Sequence, residues 1–302
     1  MIDITNGEHI PDCNTACALG LFDGVHKGHQ LVINTAGELK KKGLKTAVFS
    51  FKTDTVTSKG HDGRLEMILT DEVKDRHFER MGVDYLFSPD FASLKNLTCE
   101  EFVRDILVGK LKCKAAVCGA DFRFGRCAMG DSERLKELGA KYGIEVLVLE
   151  RLLYNGEAIS STEIRENIRN GKIERANEML GYSFGFYLTV EHGRALGRAL
   201  DFPTINQIIP KGQVLPRFGV YSTRVKIGDK CYHGVTNVGI KPTVNVKVSP
   251  LAETYIIDFD GDLYGQKVEI TLEHFVRAEK KFDSIKELKE QISRDTLSVI
   301  NG

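Results

Sequence analysis

The chain has 302 residues, with Lys plus Arg and Asp plus Glu both at 42 and a formal net charge of zero, so no global charge points to nucleic acid or an anionic membrane surface. That length exceeds one small core and is expected to form two domains. No apolar run approaches the roughly 18 residues of a membrane span, Met1 to Asp12 lacks a signal-peptide core, and seven cysteines without a C-x-x-C pair argue against zinc or a disulfide framework and for a reducing cytoplasm.

The first half alternates short apolar runs with helical patterns. Strands are expected at Ala16 to Leu21, Thr46 to Phe51, Tyr85 to Phe87, Ala115 to Cys118 and Glu145 to Leu149. After His29, the residues Val32, Ala36 and Leu39 share one helical face, and Gly43 closes that helix. Thr98 to Glu101 reads as a capping box before a helix carrying Phe102, Ile106 and Leu107. Continuous apolar strands alternating with helices predict a doubly wound parallel sheet. In such sheets ligands bind beyond the carboxyl ends of the strands.

The pattern changes after Gly181. Tyr221, Thr223, Val225 and Ile227 alternate with more polar residues, Gly228-Asp229 reads as a hairpin turn, and Val268, Ile270 and Leu272 alternate with charged ones. Antiparallel strands in a small closed barrel are expected. Ser284 to Glu287 fits another capping box, opening a terminal helix with Ile285, Leu288 and Ile292 on one face. The fold class is therefore α/β, with an N-terminal doubly wound parallel-sheet domain, residues 1–182, and a C-terminal antiparallel β-barrel domain with a terminal helix, residues 183–302.

The most informative stretch is Gly20 to His29, which follows the first apolar strand and opens a helix. A helix N-terminus offers unpaired N–H groups and partial positive charge, and so binds phosphate. Gly24 and Gly28 allow close backbone approach, and His26 and His29 add donors able to carry positive charge near neutral pH. A second cluster, Ser160, Ser161 and Thr162 with Arg165 one turn later, places hydroxyls and a phosphate-matching guanidinium at another helix start. Three further segments stand out: Gly119 to Gly125 with Asp121, Phe122 and Arg123; Gly193 to Asn206 with Gly197, Arg198, Thr204 and Asn206; and Glu253 to Gly265.

Together these motifs resemble those of the bacterial bifunctional riboflavin kinase/FMN adenylyltransferase (FAD synthetase) family. The run through His26 and His29 is similar to the H-x-G-H signature of nucleotidyltransferases, and Ile159 to Arg165 to the I-S-S-T-x-x-R element. The resemblance implies that His26 and His29 are catalytic, and that Phe22, Gly24, Gly28, Ser160, Ser161, Thr162 and Arg165 bind nucleotide. It implies that Asp121, Phe122 and Arg123 line a flavin pocket. In the second half it implies nucleotide contacts from Gly193, Gly197 and Arg198, Mg²⁺ held by Thr204 and Asn206, Glu253 as catalytic base, and Arg277 as a flavin contact. ATP, riboflavin, FMN and FAD follow as substrates or products, with no nucleic acid or membrane partner and a monomer or weak homo-oligomer.

The chain also departs from the family pattern. Phe51-Lys52-Thr53-Asp54-Thr55 stands where the family has F-D/E-P-H-P, so a histidine contact is lost or taken over by Lys52. Asp201 replaces a usual Gly, Ile205 an Ala and Val244 a Phe. The expected function is ATP-dependent phosphorylation of riboflavin to FMN and adenylylation of FMN to FAD with release of pyrophosphate. The alternatives are a paralogue with one of the two activities, or a flavin-sensing regulator on the same scaffold.

Overall fold

The computed structural model describes residues 1–52, 66–193, 202–240 and 249–301. They fall into two units, Met1–Ser161 and Thr162–Gly302. Gly197, Arg198, Asp201, Val244 and Thr53 to Thr55 lie outside the described residues.

The first unit is built on six strands: β1 (Ile2–Asp3), β2 (Thr15–Leu19), β3 (Lys45–Phe49), β4 (Tyr85–Phe87), β5 (Cys113–Gly119) and β6 (Glu145–Leu149). All neighbouring pairs are parallel, in the order β1-β4-β3-β2-β5-β6. The chain moves outward from β2 through β3 to β4, then returns to β5 on the other side and moves out to β6. The order thus reverses between β2 and β5. Central β2 is buried along its whole length, with the small side chains Ala16, Cys17 and Ala18 at 0 % exposure. Small residues there let layers pack closely on both faces of the sheet.

Around the sheet run α1 (Lys27–Glu38), α2 (Asp71–Arg80), α3 (Phe91–Leu94), α4 (Cys99–Glu101) and α5 (Ser132–Tyr142), and a small hairpin, β7 (Leu153–Tyr154) with β8 (Glu157–Ala158), follows β6. Val32, Ile33 and Ala36 bury one face of α1, and Gly43, at φ 80°, closes the turn after it. The capping box at Thr98 and Glu101 is present on α4. The next stretch, Phe102–Lys110, is not the expected α-helix but a wide-turn π-helix. Bonds such as Leu111 N–H to Ile106 O, at 2.9 Å, close its turns. The wider turn lets Phe102, Val103, Ile106 and Leu107 all enter the core.

The second unit begins with most of α6 (Ser161–Arg169) and with α7 (Ile173–Leu180). Six strands follow: β9 (Gly185–Thr189), β10 (Thr204–Ile208), β11 (Gly219–Ile227), β12 (Lys230–Ile240), β13 (Pro250–Ile256) and β14 (Lys267–Ala278). They form an antiparallel sheet in the order β10-β13-β12-β11-β14-β9. It curls into a near-closed barrel, because Glu191 N–H, beyond β9, donates to Asn206 O on β10 at 2.8 Å. Gln207, fully buried, spans the seam and donates from Nε2 to Leu188 O at 2.6 Å and Val268 O at 2.9 Å. The hairpin at Gly228-Asp229 is as expected, with Ile227 opposite Lys230 and Gly228 at φ 57°.

Asn177 on α7 donates to Leu272 O and accepts from Phe184 N–H, which ties the helix to the barrel strands. The terminal helix, α8 (Ile285–Asn301), turns the expected face inward, with Leu288 and Ile292 half-buried in line with Asp295 and Val299, and departs from expectation at its first residue. Ile285 is 67 % exposed, and the two buried residues of the helix are Asp295 and Val299. Val299 packs with Val220, Val235 and Ile257 of the sheet.

Candidate active sites

In the first unit, the Gly20 to His29 segment leaves β2 at the reversal point. Leu19 lies opposite Cys118 of β5, so the loop from Gly119 leaves the sheet beside it. The segment folds tightly, with Phe22 at φ 53° and Val25 at φ 35°, both buried. Such positive φ at non-glycine residues is strained and persists only where the surroundings over-determine it. Here buried Asp23 anchors the turn: its Oδ1 accepts Ile68 N–H at 2.9 Å and its backbone O accepts the Ser161 hydroxyl at 2.8 Å. A Cβ on Gly24 would stand 2.9 Å from Ile68 Cδ1, at φ 80°, so the position requires glycine.

His26 caps α1, and its Nδ1 accepts the His29 N–H at 3.3 Å. In a neutral ring, that bond leaves the His26 proton on Nε2. The two imidazoles stack, with centroids 3.5 Å apart and planes 18° apart, and Phe22 meets His29 edge-on. Burial pushes His26 down to about 4, partly offset by the Asp121 carboxylate. Burial, then the charge of His26 and that of Lys74, push His29 well below its ordinary value. Burial thus works against the positive charge expected of these histidines near neutral pH, because it penalises the charged form.

Asp121 is thus close enough to His26 to act on it, and it pairs with Arg151 at 2.9 Å. Ala120, Asp121, Arg123, Glu150, Arg151 and Leu153 line a cleft of about 600 Å³ beyond β5 and β6. Arg123 pairs with Asp131 at 3.4 Å. Phe122 is half-buried and stacks on Phe124, which is part of the core. Gly28 approaches the His26 ring closely, and Ser160 stands just before α6. Thr162 and Arg165 continue α6 within the second unit, where Arg165 is buried. Lys52 ion-pairs with Asp90 at 3.5 Å.

Sequence reasoning missed Lys74. Its side chain is 1 % exposed, pairs with Asp71 at 2.8 Å and donates to Phe51 O at 2.8 Å. A lysine reads as a solvent-facing residue in a sequence, and only the fold places Lys74 on the buried side of α2 beside His29.

In the second unit, strand register assembles the site. Asn206 lies opposite Glu253, Glu253 opposite Asn237, Asn237 opposite Val220, and Val220 opposite Arg277. Directly opposed residues share a face, so one rung across five strands carries Asn206, Glu253, Asn237 and Arg277 on the same side. At strand spacing, Glu253 and Arg277 are three steps or about 14 Å apart. Glu253 is mid-strand and half-buried, whereas Asp258, Asp260 and Asp262 are exposed beyond the strand end. Asn237 was not legible as a site residue, because only the pairing of β12 with β13 brings it to Glu253.

Thr204 and Asn206 share a face of β10. A Cβ on Gly193 would come within 2.3 Å of Asn206 Nδ2, so the glycine lets the backbone close over that amide. Thr204 also lines a cavity of about 310 Å³ with Pro203, Phe259, Asp260, Asp262 and Tyr264. Among the described residues, no group of three or more His, Cys, Asp or Glu is placed to hold a metal. Arg277 makes a forked ion pair with Asp295.

A parallel sheet with paired histidines at its reversal point, joined to a near-closed antiparallel barrel with a terminal helix, defines a nucleotidyltransferase domain followed by a riboflavin kinase domain. The FAD synthetase family model matches residues 9–163 and the riboflavin kinase model residues 180–301. The chain is 34 % identical to the bifunctional riboflavin kinase/FMN adenylyltransferase of Bacillus subtilis (strain 168), over 99 % of this chain and 96 % of that protein. It is also 34 % identical to the enzyme of the same name from Escherichia coli (strain K12), over 98 % and 95 %. A crystal structure described as a macrolide-efflux protein from Streptococcus pneumoniae superposes with a TM-score of 0.87 at 30 % identity, covering 100 % of this chain and 99 % of that one. The chain belongs to the bifunctional riboflavin kinase/FMN adenylyltransferase family.

Proposed function

We propose that this chain phosphorylates riboflavin to FMN at the barrel rung and adenylylates FMN to FAD at the histidine site, using ATP in both steps. Residues 183–302 carry the kinase step and residues 1–182 the adenylyl step. The observation that carries this reading is the rung, which sets a carboxylate, Glu253, directly opposite an amide that the Gly193 backbone covers.

In the kinase step, Glu253 takes the proton of the ribityl 5′-hydroxyl as its oxygen attacks the γ-phosphorus of ATP. Arg277 contacts the flavin, and Gly193, Gly197 and Arg198 serve the nucleotide. The Thr204 hydroxyl and Asn206 amide fit Mg²⁺, since hard oxygen donors from two side chains suit a cation that keeps several waters and binds through nucleotide phosphates. When bound, Mg²⁺ neutralises developing charge on the transferred phosphoryl group.

In the adenylyl step, the FMN phosphate attacks the α-phosphorus of ATP and pyrophosphate leaves. His26 and His29 donate neutral N–H bonds to phosphate oxygens, and the α1 N-terminus adds backbone donors. Ser160, Ser161, Thr162 and Arg165 hold the remaining phosphates, with Phe22, Gly24 and Gly28 shaping the approach. Asp121, Phe122 and Arg123 serve the flavin at the cleft beyond β5.

Small molecules are the only partners proposed, for a monomer or weak homo-oligomer in the cytoplasm. Seven free thiols fit a reducing compartment, and among the described residues no helix is long and apolar enough to cross a membrane. Chromatography of riboflavin incubated with ATP and Mg²⁺ tests the reading. FMN should form first and FAD follow. FMN alone would identify a one-activity paralogue, and no turnover of riboflavin or supplied FMN would favour a flavin sensor.

A further inference from the structure

The most buried side chain of α8 is a carboxylate. Asp295 is 3 % exposed. Its oxygens accept Arg277 Nε at 3.0 Å each and Arg277 Nη2 at 2.8 Å, and Oδ1 also accepts Gln291 Nε2 at 2.8 Å. Covering the sheet needs no charge there, as Val299 shows one turn further on against Val220 and Val235. A buried carboxylate costs free energy unless fully paired, and apolar replacement of such pairs is often neutral or stabilising. Stability alone therefore does not account for this pair.

What the pair does fix is a direction. Arg277 Nη1 donates to Ala278 O at 3.1 Å, and the guanidinium lies 5.8 Å from the Phe282 ring. A planar group held along one edge by a carboxylate, at one nitrogen by a carbonyl and near an aromatic ring has little rotational freedom left. Arg277 occupies the same rung and face as Glu253 and Asn206.

We propose that Asp295 is a positioning residue for riboflavin: from the terminal helix it holds the Arg277 guanidinium in the orientation that meets the flavin. The inference rests on the flavin role given to Arg277 above. An unheld arginine must lose its side-chain freedom when substrate binds, whereas a held one has lost it on folding. The effect belongs to riboflavin binding and not to chemistry, since Glu253 stands three strands away on the rung.

The test compares Asp295→Asn, Arg277→Ala and the double variant in the full-length protein. The chain has no tryptophan, so riboflavin binding can be followed by flavin emission alone. Asp295→Asn should weaken riboflavin binding and raise its KM roughly tenfold, the scale of one charged hydrogen bond. The kcat, the KM for ATP and FAD formation from supplied FMN should stay within about twofold. Arg277→Ala should weaken riboflavin at least as much, and the double variant no more than Arg277→Ala alone. Normal riboflavin binding in Asp295→Asn beside a defect in Arg277→Ala overturns the inference and leaves the flavin role standing. Normal binding in both overturns the flavin role itself. Additive losses, or losses of kcat and ATP affinity in step with riboflavin, overturn the inference in favour of a structural role. Should Asp295→Asn not fold, Asp295→Glu keeps the charge but displaces it by one methylene, and must itself weaken riboflavin severalfold with an unchanged Tm.

Discussion

At the scale of single residues, the two proposed steps call on different side chains. In the proposed adenylyl step His26 and His29 are the donors to phosphate, and burial holds both imidazoles below their ordinary pKa. Removing one such donor costs transition-state stabilisation, so His26→Ala should lower FAD formation by about 10². FMN formation from riboflavin should be unchanged, and parallel loss of both in a coupled assay would refute the division of labour. Glu253 is the proposed base, and strand register sets it opposite Asn206. Glu253→Gln keeps the shape and removes proton acceptance, so kinase turnover should fall by roughly 10² to 10⁴ with riboflavin binding kept within a few-fold. Asp258→Asn, exposed just beyond the same strand, is the comparison. Equal losses in the two variants would show that the carboxylate of Glu253 has no special role.

At the scale of elements, helices α1 and α2 carry imidazoles at a cost that depends on pH. Burial lowers His26 and His77 to about 4 from an ordinary 6.5, and His29 lies well below 6.5. Between 6.5 and 4 the folded unit binds fewer protons at these groups than the unfolded chain does. Their neutral burial is therefore fully tolerated above pH 6.5, and stability is lost as pH falls through that window. The His26 contribution alone is on the order of 3 kcal/mol. Asp75 opposes this, because burial raises it to about 6 and its folded form holds a proton that the unfolded chain releases above 3.8. Three imidazoles outweigh one carboxyl, so thermal unfolding should move to lower temperature from pH 7 to 4.5. His77→Gln, which cannot take a proton, should flatten part of that slope. A Tm that holds or rises on acidification would contradict the account.

At the scale of the whole molecule, packing and motif order divide the chain at different places. Thr162 and Arg165 belong by motif to the adenylyl half, yet α6 and α7 fall in the second unit, where Asn177 bonds to Leu272 and Phe184. A fragment from Thr162 to Gly302 keeps those bonds and should fold with the higher Tm. One from Ser183 should make FMN with a lower Tm, having lost two helices that bury Ile164, Ile168, Met179 and Leu180. Neither should make FAD. FAD from either fragment, measured by chromatography, would place the adenylyl site outside the first half.

The sequence by itself determined the parallel sheet, the barrel, their order along the chain and the motifs at their edges. Strand and helix periodicities, glycine turns and capping residues are local signals and survive without coordinates. Tyr85–Phe87 and Glu145–Leu149 stand as strands at the expected residues. The two-residue β1 was too short to carry a period, and the π-turn at Phe102–Lys110 presents the same apolar spacing as an α-helix. Only tertiary structure decided the state of the histidines, because burial, not residue type, sets their charge. Only register decided that Asn206, Glu253, Asn237 and Arg277 share a rung, since pairing over seventy residues of sequence is invisible to any local pattern. Lys74 and Asp295 escaped for the same reason. A charged residue on a buried helix face breaks the periodic signal, and its meaning lies in a partner that the fold alone supplies.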